Sequence, residues 1–263
     1  MKAGTSALLL GAALAAPLPA DAAWTETPGE VLAITSFTLK NAGQTFDKAG
    51  ATRPADSSRK VEVSTYVQYG LDETRTLILQ PTWTRFETPY VRAEGLSTLS
   101  LGLRQRLLAD GPDVVSVQPL IRLPLASRER GSLLGQGEIE GELRFLWGHG
   151  FDFAFDNPFG EHHEVTGFTV LEWAPRVPEG MDGSHIENDA TLGFRVDGGD
   201  LVLVQLFNTW PLGGPHQRKH QIQPSTVTDL GDGVSVQTGV IYTYAGADVP
   251  VELGAVLGLW LRF

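Results

Sequence analysis

Apolar residues alternate with polar or small ones over the last thirteen positions of the chain, from Val251 to Phe263. Successive side chains of a β-strand point to opposite faces, so every second residue shares a face. The odd-numbered positions of this stretch carry only valine, alanine, leucine and phenylalanine, whereas the even-numbered ones include Glu252, Arg262 and two glycines. The pattern predicts a closing strand with one wholly apolar face and one mixed face.

The same period of two recurs along most of the chain, and no stretch shows the spacing of an amphipathic helix. Its clearest further instance is residues 99–107, where four leucines alternate with residues that include Ser100, Arg104 and Arg106. Turn signals rich in glycine, proline and aspartate separate such runs. The runs predict about twelve strands of about ten residues each. Counts of ten and fourteen stay open, because residues 148–160 and 219–228 fit a strand only weakly.

The connections between the predicted strands fall into two classes by length. The even-numbered connections are mostly short, and lie at residues 71–73, 110–113, the region from Gly148, 197–200 and 230–233. The odd-numbered ones are mostly longer, and lie at residues 41–59, 85–94, 127–135, 177–185, 211–215 and 246–250. In a transmembrane barrel with an even number of strands, the short turns and both chain ends share the periplasmic side. We therefore expect both termini there.

The N-terminus carries the features of an export signal. Lys2 precedes a short apolar stretch at residues 7–16, and small residues surround Ala22. This arrangement predicts a cleaved secretory signal peptide over residues 1–22, too short for a spanning helix. The remaining residues, 23–263, have the length of one domain. We expect them to form a single unit.

Composition narrows the class of protein further. The chain has no cysteine, so disulfides cannot stabilise it after export. Its formal net charge of −11 argues against nucleic acid as a partner. A strand that is apolar on one face and polar on the other suits lipid outside and a polar lumen inside, and a closed sheet satisfies every backbone hydrogen bond in lipid. The predicted fold class is all-β: a single closed antiparallel transmembrane β-barrel of about twelve strands.

The closing strand resembles the last strand of bacterial outer-membrane β-barrels. Leu257, Leu259, Leu261 and Phe263 match that pattern, with Leu261 where an aromatic is more usual. In those families this strand is the signal read by the barrel-assembly machinery. The resemblance implies that these four residues form an assembly signal. It also implies that the chain lies in the bacterial outer membrane, with outer-membrane lipid and the assembly machinery as partners.

A hairpin near the N-terminus carries a second resemblance. Residues 61–81, with Tyr69 and Gly70 before a turn and Pro81 at the end, resemble a family of largely uncharacterised outer-membrane barrels. The hairpin is also similar to that of putative transporters linked to phenol degradation, and some relatives are associated with exopolysaccharide genes. The resemblance implies a role in transport or in the envelope, with a polysaccharide or a small hydrophobic compound as the solute. It supplies no catalytic residues.

Charged residues of both signs are predicted to face the lumen. The candidate lumen charge network comprises Glu62, Arg104, Arg106, Arg122, Glu138, Glu140, Glu142, Arg144, Arg195 and Glu252. One interpretation is a hydrated pore whose charges tune selectivity. The other is a network of arginine–carboxylate pairs that narrows or plugs the barrel. A barrel of about twelve strands is intermediate in bore between filled and open barrels, so both stay open.

Two short motifs suggest other chemistry. His162 and His163 are adjacent, so on a strand they point to opposite faces and do not share one metal. Ser184 and His185 suggest a hydrolase, but no acyl-hydrolase motif surrounds them and no acidic partner can be named. We therefore expect neither a metal nor a cofactor nor an enzyme. The hypotheses are a channel or transport-associated barrel, a structural or adhesive surface barrel with a plugged lumen, and a lipid-modifying enzyme.

Overall fold

The computed structural model describes residues 23–127, 134, 137–181, 183–213 and 217–263. The predicted signal peptide at residues 1–22 lies outside these ranges, as do parts of the predicted loops at 127–135 and 211–215. No helix within the described ranges is long and apolar enough to cross a membrane.

The described residues form twelve long strands and one two-residue strand in a single sheet. The strands are β1 (Val31–Phe46), β2 (Thr52–Asp72), β3 (Arg75–Glu87), β4 (Arg92–Asp110), β5 (Asp113–Pro124), β6 (Glu140–Asp156), β7 (His162–Pro178), β8 (His185–Val196), β9 (Leu201–Pro211), β10 (Arg218–Gly231), β11 (Val234–Ala247), β12 (Val249–Pro250) and β13 (Leu253–Arg262).

The sheet closes on itself between the first and last strands. Each long strand pairs antiparallel with the next along the chain, β11 pairs with β13, and β1 pairs with both β2 and β13. At the seam, Val31 donates a main-chain hydrogen bond to the carbonyl oxygen of Phe263 (2.7 Å) and accepts one from its N–H (3.1 Å). The predicted all-β fold, a closed barrel of twelve long strands, is confirmed.

Side chains alternate between the two faces of the barrel as the sequence predicts. On β13, Leu257 is 53% exposed on the outside, whereas Trp260 is 5% exposed on the lumen side. The same alternation on β5 leaves Ile121 outside and buries Gln118 inside. The outside therefore carries a broad apolar surface, as a lipid-facing barrel wall requires.

The four predicted tight turns are correct, whereas the connection predicted in the region from Gly148 begins later than expected. Strand β6 runs straight through Gly148 to Asp156, and the turn follows at residues 157–161. A Cβ atom on Gly148 would lie 2.3 Å from the ring of Trp24. Glycine is therefore needed there because another segment approaches closely, and not because the chain turns.

The longest predicted loop is also shorter than expected. Strands β1 and β2 pair as far as Phe46 and Thr52, so only residues 47–51 connect them. The polar composition of residues 41–59 is misleading because a hairpin that extends beyond the bilayer needs no apolar face. Its backbone groups pair with each other in water as they do in lipid.

Candidate functional site

The lumen of the barrel holds a cavity of about 740 Å³. Inward-facing side chains from strands all round the closed sheet line it. Most of these side chains carry a charge, a hydroxyl or an amide. We call this cavity the chamber, and it is the candidate site because it combines enclosure with many polar groups.

One side of the chamber carries an interlocked set of arginines and carboxylates, here called the acidic wall. It comprises Arg122 of β5, Glu140, Glu142 and Arg144 of β6, Glu172 and Arg176 of β7, and Glu187 and Asp189 of β8. Five carboxylates face three arginines, so the wall has a formal excess of negative charge.

Glu142 is the centre of the acidic wall, and its side chain is fully buried. Its carboxylate accepts hydrogen bonds from Arg122 (2.7 Å), Arg144 (2.8 Å) and Arg176 (3.0 Å). Such charge-assisted hydrogen bonds are about twice as strong as neutral ones. They hold neighbouring strands β5, β6 and β7 in register from inside the barrel.

The opposite side of the chamber carries the lysine wall, formed by Lys40 of β1, Lys60 and Glu62 of β2, Lys219 of β10, and Glu252 just before β13. Lys219 donates a hydrogen bond to Glu252 (2.9 Å), and the Nζ of Lys40 lies 3.9 Å from the same carboxylate oxygen. Lys60 pairs with Glu62 at 2.9 Å. Three lysines face two carboxylates, so this wall has a formal excess of positive charge.

The strand order places the two walls across the lumen from each other. Strands β13 and β1 lie half-way around the twelve-strand circuit from β6 and β7. Between the walls, β3 and β4 present hydroxyl and amide side chains such as Gln80, Thr82 and Thr98, and β9 presents Gln205, Phe207 and Thr209. Apart from Arg104 of β4, which also lines the chamber, the charged groups are thus segregated rather than mixed evenly around the bore.

Residues 23–30, before β1, fold back and cross the lumen at the short-turn end. Gly29 hydrogen-bonds to Gly70 of β2, and the main-chain N–H of Glu26 donates to Thr76 of β3. Farther across, Ser116 of β5 donates to the carbonyl oxygen of Ala23 (2.6 Å). The segment therefore spans from β1 to the far wall, where the Trp24 ring lies against β6.

Arg104 of β4 braces this segment. Its Nη1 donates to the carbonyl oxygen of Trp24 (2.8 Å) and to the amide oxygen of Gln68 (2.9 Å). Its other nitrogens reach Gln118 (3.0 Å) and the hydroxyl of Tyr66 (2.9 Å). The guanidinium is 1% exposed, and its rigid fork suits several simultaneous acceptors.

An ion pair also holds the segment of residues 23–30. Arg262 of β13 lies 3.1 Å from the carboxylate of Glu26. Burial raises the pKa of Glu26 above its usual value, although the positive charge of Arg262 opposes this shift. Together with the hydrogen bonds to Arg104 and Ser116, this pair fixes residues 23–26 to the barrel wall.

An apolar cluster fills the lumen around the crossing segment. It consists of Ala23, Val114, Leu146, Phe168, Val170, Leu201, Leu203, Val227 and Trp260, with Trp24 and Ile34 packed against it. Burial of such side chains contributes roughly 1.5–3 kcal/mol each. The short-turn end of the barrel therefore has a packed core, whereas the chamber occupies the lumen beyond it.

The ten residues of the predicted charge network do not form one cluster. Arg122, Glu140, Glu142 and Arg144 meet in the acidic wall, and Glu62 and Glu252 meet in the lysine wall. The remaining four lie apart from both walls.

The arginines of β4 and β8 in the predicted network bond to main-chain and amide groups. Arg104 braces the N-terminal segment, and Arg195 donates to the carbonyl oxygen of Gly199 in its own turn. Arg106 lies beyond Arg104 toward the short-turn end, where its N–H bonds to the Thr74 carbonyl oxygen. Glu138 precedes β6 and lies beside Gly180.

Several site residues are not among the ten of the predicted network. Glu172, Arg176, Glu187 and Asp189 complete the acidic wall, and Lys40, Lys60 and Lys219 complete the lysine wall. A weak signal for Glu187 and Asp189 is present, because they share one face at the start of β8, with Ile186 and Ala190 on the other. Both positions lie after the predicted connection at residues 177–185 and outside the predicted charge network.

The two histidines at 162–163 and the serine–histidine pair at 184–185 bond to nearby groups. His162 and His163 lie on opposite faces of β7 and contact different aspartates, Asp156 and Asp197. Within the described ranges, no group of three or more potential ligands is placed to hold a metal. Ser184 and His185 each bond to a main-chain carbonyl oxygen of their own loop, at 2.8 and 2.9 Å.

The predicted assembly residues Leu257, Leu259, Leu261 and Phe263 share the outer face of the chain's final stretch, along the barrel seam. Their side chains face the surroundings and not the lumen. The geometry is compatible with a surface that another protein or lipid contacts.

Comparisons with known proteins identify the fold. No family model matches the chain, and no curated protein matches it. Among solved structures, the chain is similar to the COG4313 outer membrane channel from Pseudomonas putida F1, with a TM-score of 0.66 and 14% identity over 92% of this chain and 98% of that one. The KdgM porin matches with a TM-score of 0.44 and 9% identity, over 87% and 99%. The likeness shows that the fold is that of bacterial outer-membrane β-barrels.

Proposed function

We propose that this protein is a narrow solute channel of the bacterial outer membrane, with both termini on the periplasmic side. The observation that carries the proposal is the polar chamber of about 740 Å³ in the lumen of a barrel whose outer face is apolar. A lumen kept only for structure needs no such volume, because small barrels are filled by side chains. We assign it no catalytic step.

The polar lining favours a small hydrophilic solute. Uncharged hydrogen-bonding groups such as Gln80, Thr98 and Gln205 lie between the two charged walls. A hydrophobic compound would leave these groups unsatisfied, and each such loss costs about 1–3 kcal/mol. We therefore favour a hydrophilic solute over the hydrophobic one that the hairpin resemblance implies. A saccharide fragment remains within this class.

The second candidate is a structural barrel with a plugged lumen. The observation in its favour is the apolar cluster around Trp24, which fills the short-turn end. Under the channel proposal, this cluster is the restriction that limits flux. Residues 23–30 are the part of the restriction that can be displaced, because they lie before β1 and not in a long strand. The two candidates differ in whether ions and small solutes pass.

Conductance in planar lipid bilayers separates these candidates. We expect the wild-type barrel to give small, discrete current steps, and Trp24→Ala to enlarge them by removing bulk from the restriction. Trp147→Ala is the control, since Trp147 lies on the outer face of β6 one position before Gly148. Silence from the wild type and from Trp24→Ala would favour the plugged barrel.

A further inference from the structure

We propose that the chamber binds small zwitterionic solutes, with the carboxylate toward the lysine wall and the ammonium group toward the acidic wall. The inference rests on the proposed function and adds the chemical class of the solute. It follows from where the charges lie, not from their number alone.

The first step is the sign of each wall. On the lysine wall, Lys219, Lys40 and Lys60 share two carboxylates, so pairing leaves a positive excess. On the acidic wall, Arg122, Arg144 and Arg176 share five carboxylates, so pairing leaves a negative excess. A solute charge of the opposite sign is therefore attracted at each wall.

The second step is their placement. The walls occupy opposite arcs of one closed sheet, and strips from β3, β4 and β9 separate them. These strips are uncharged apart from Arg104 of β4, whose guanidinium is held by Trp24, Gln68 and Gln118. Opposite excess charges across an enclosed space produce a field directed across the bore. Low-dielectric protein surroundings strengthen this field relative to bulk water.

The third step is what such a field selects. A zwitterion whose dipole lies along the field interacts favourably with both walls. A simple anion gains at the lysine wall but is repelled by the acidic one, and a simple cation shows the reverse. The charged groups that line the chamber are only partly exposed, so they are held in place by their ion pairs before any solute arrives. Such preorganisation lowers the cost of binding.

A three-ligand series of matched carbon number tests the proposal directly on the wild-type protein. The probes are 4-aminobutyrate, butyrate and n-butylammonium, and binding is measured by calorimetry on the detergent-folded barrel. We expect 4-aminobutyrate to bind about tenfold more tightly than either analogue. Equal or tighter binding of an analogue, or no binding of any probe, would overturn the inference.

Two variants show which wall recognises which end. Lys219→Gln keeps a donor for Glu252, and Glu187→Gln keeps an acceptor for Arg176. We expect Lys219→Gln to reduce the preference for 4-aminobutyrate over n-butylammonium, because the carboxylate end loses its attraction. Glu187→Gln should instead reduce the preference over butyrate. If both variants change both preferences equally, the two walls do not recognise separate ends of the solute.

Gln223→Met is the control, because Gln223 lines the chamber without carrying charge. It should leave both preferences intact. Conductance of the same samples distinguishes the two proposals. A barrel that conducts ions yet shows no preference for the zwitterion contradicts only this inference, whereas a barrel that neither conducts nor binds contradicts the channel as well.

Discussion

Arg104 donates a hydrogen bond from Nη1 to the main-chain carbonyl oxygen of Trp24, at 2.8 Å and across 80 positions of sequence. The bond joins the inner wall of β4 to the segment that crosses the short-turn end of the lumen. Since the same guanidinium also holds Gln68 and Gln118, the crossing segment and the wall form one hydrogen-bonded unit. The hydrogen bonds that hold the restriction in place therefore also stabilise the barrel.

Replacing Arg104 by methionine should destabilise the barrel and loosen the restriction. The change removes the donors of several buried acceptors, and we expect the free energy of unfolding in urea to fall by about 3 kcal/mol. Conductance should rise in the same variant. Arg106→Met is the matched control, because Arg106 lies on the same strand face but is half-exposed. We expect it to lower the free energy of unfolding by less than about 0.5 kcal/mol. Equal effects would show that Arg104 has no special role.

Gly148→Ala should displace the N-terminal segment. The new Cβ would lie 2.3 Å from the Trp24 ring and 2.8 Å from the Cβ of Ala23, so the segment must move. Gly150→Ala is the control two positions along β6, where the nearest atom would lie 3.9 Å away. Tryptophan emission and conductance should change for Gly148→Ala alone. An unchanged Gly148→Ala barrel would show that the segment does not pack there.

Glu142→Gln should be the most damaging change in the acidic wall. Three arginines donate to this fully buried carboxylate, and removing its charge leaves them with too few partners. We expect the free energy of unfolding to fall by about 3–5 kcal/mol. Glu140→Gln, on the same strand, should cost less than about 1 kcal/mol because Glu140 only reaches Arg176 at 4.0 Å. The reverse order would mean that Glu142 is not the centre of the network.

The lipid-facing side of β13 should tolerate a charged residue near the start of the strand but not in its middle. Leu257 lies in the middle of the strand and Leu253 at its start, and both are exposed on the outer face. Arginine should cost about 2–4 kcal/mol at Leu257 and about 0–1 kcal/mol at Leu253, because the cost depends on depth in the bilayer. Folding equilibria into lipid vesicles measure both values. Similar costs at the two positions would contradict the inferred membrane span.

The barrel and the facing of its strands could be predicted because both depend on a local period of two. Residues 253–263 identify their own lipid face without any knowledge of their neighbours. The alternation of short and long connections is consistent with the even strand count that these runs predict. Gly148 was misinterpreted because glycine is needed there to make room for the ring of Trp24, which lies more than a hundred positions away in sequence.

The composition of the two walls could be predicted only in part. The inward facing of Arg122, Glu142 and Arg144 follows from alternation, but their partners depend on the register between strands, which a single sequence does not contain. The strand position of Arg104 relative to Gln118 and Gln68 gives it amide acceptors, which alternation alone does not predict.

The rate of thiol labelling inside the lumen tests the central claim, an open chamber above a restricted short-turn end. The chain has no cysteine, so single-cysteine variants have no background. Thr209 and Leu201 share the inner face of β9, but Thr209 lines the chamber and Leu201 lies in the apolar cluster. A charged, membrane-impermeant thiol reagent should label Thr209→Cys rapidly and Leu201→Cys slowly in lipid vesicles. Rapid labelling of both would mean a pore open throughout, and protection of both would mean a filled barrel; either result contradicts the account.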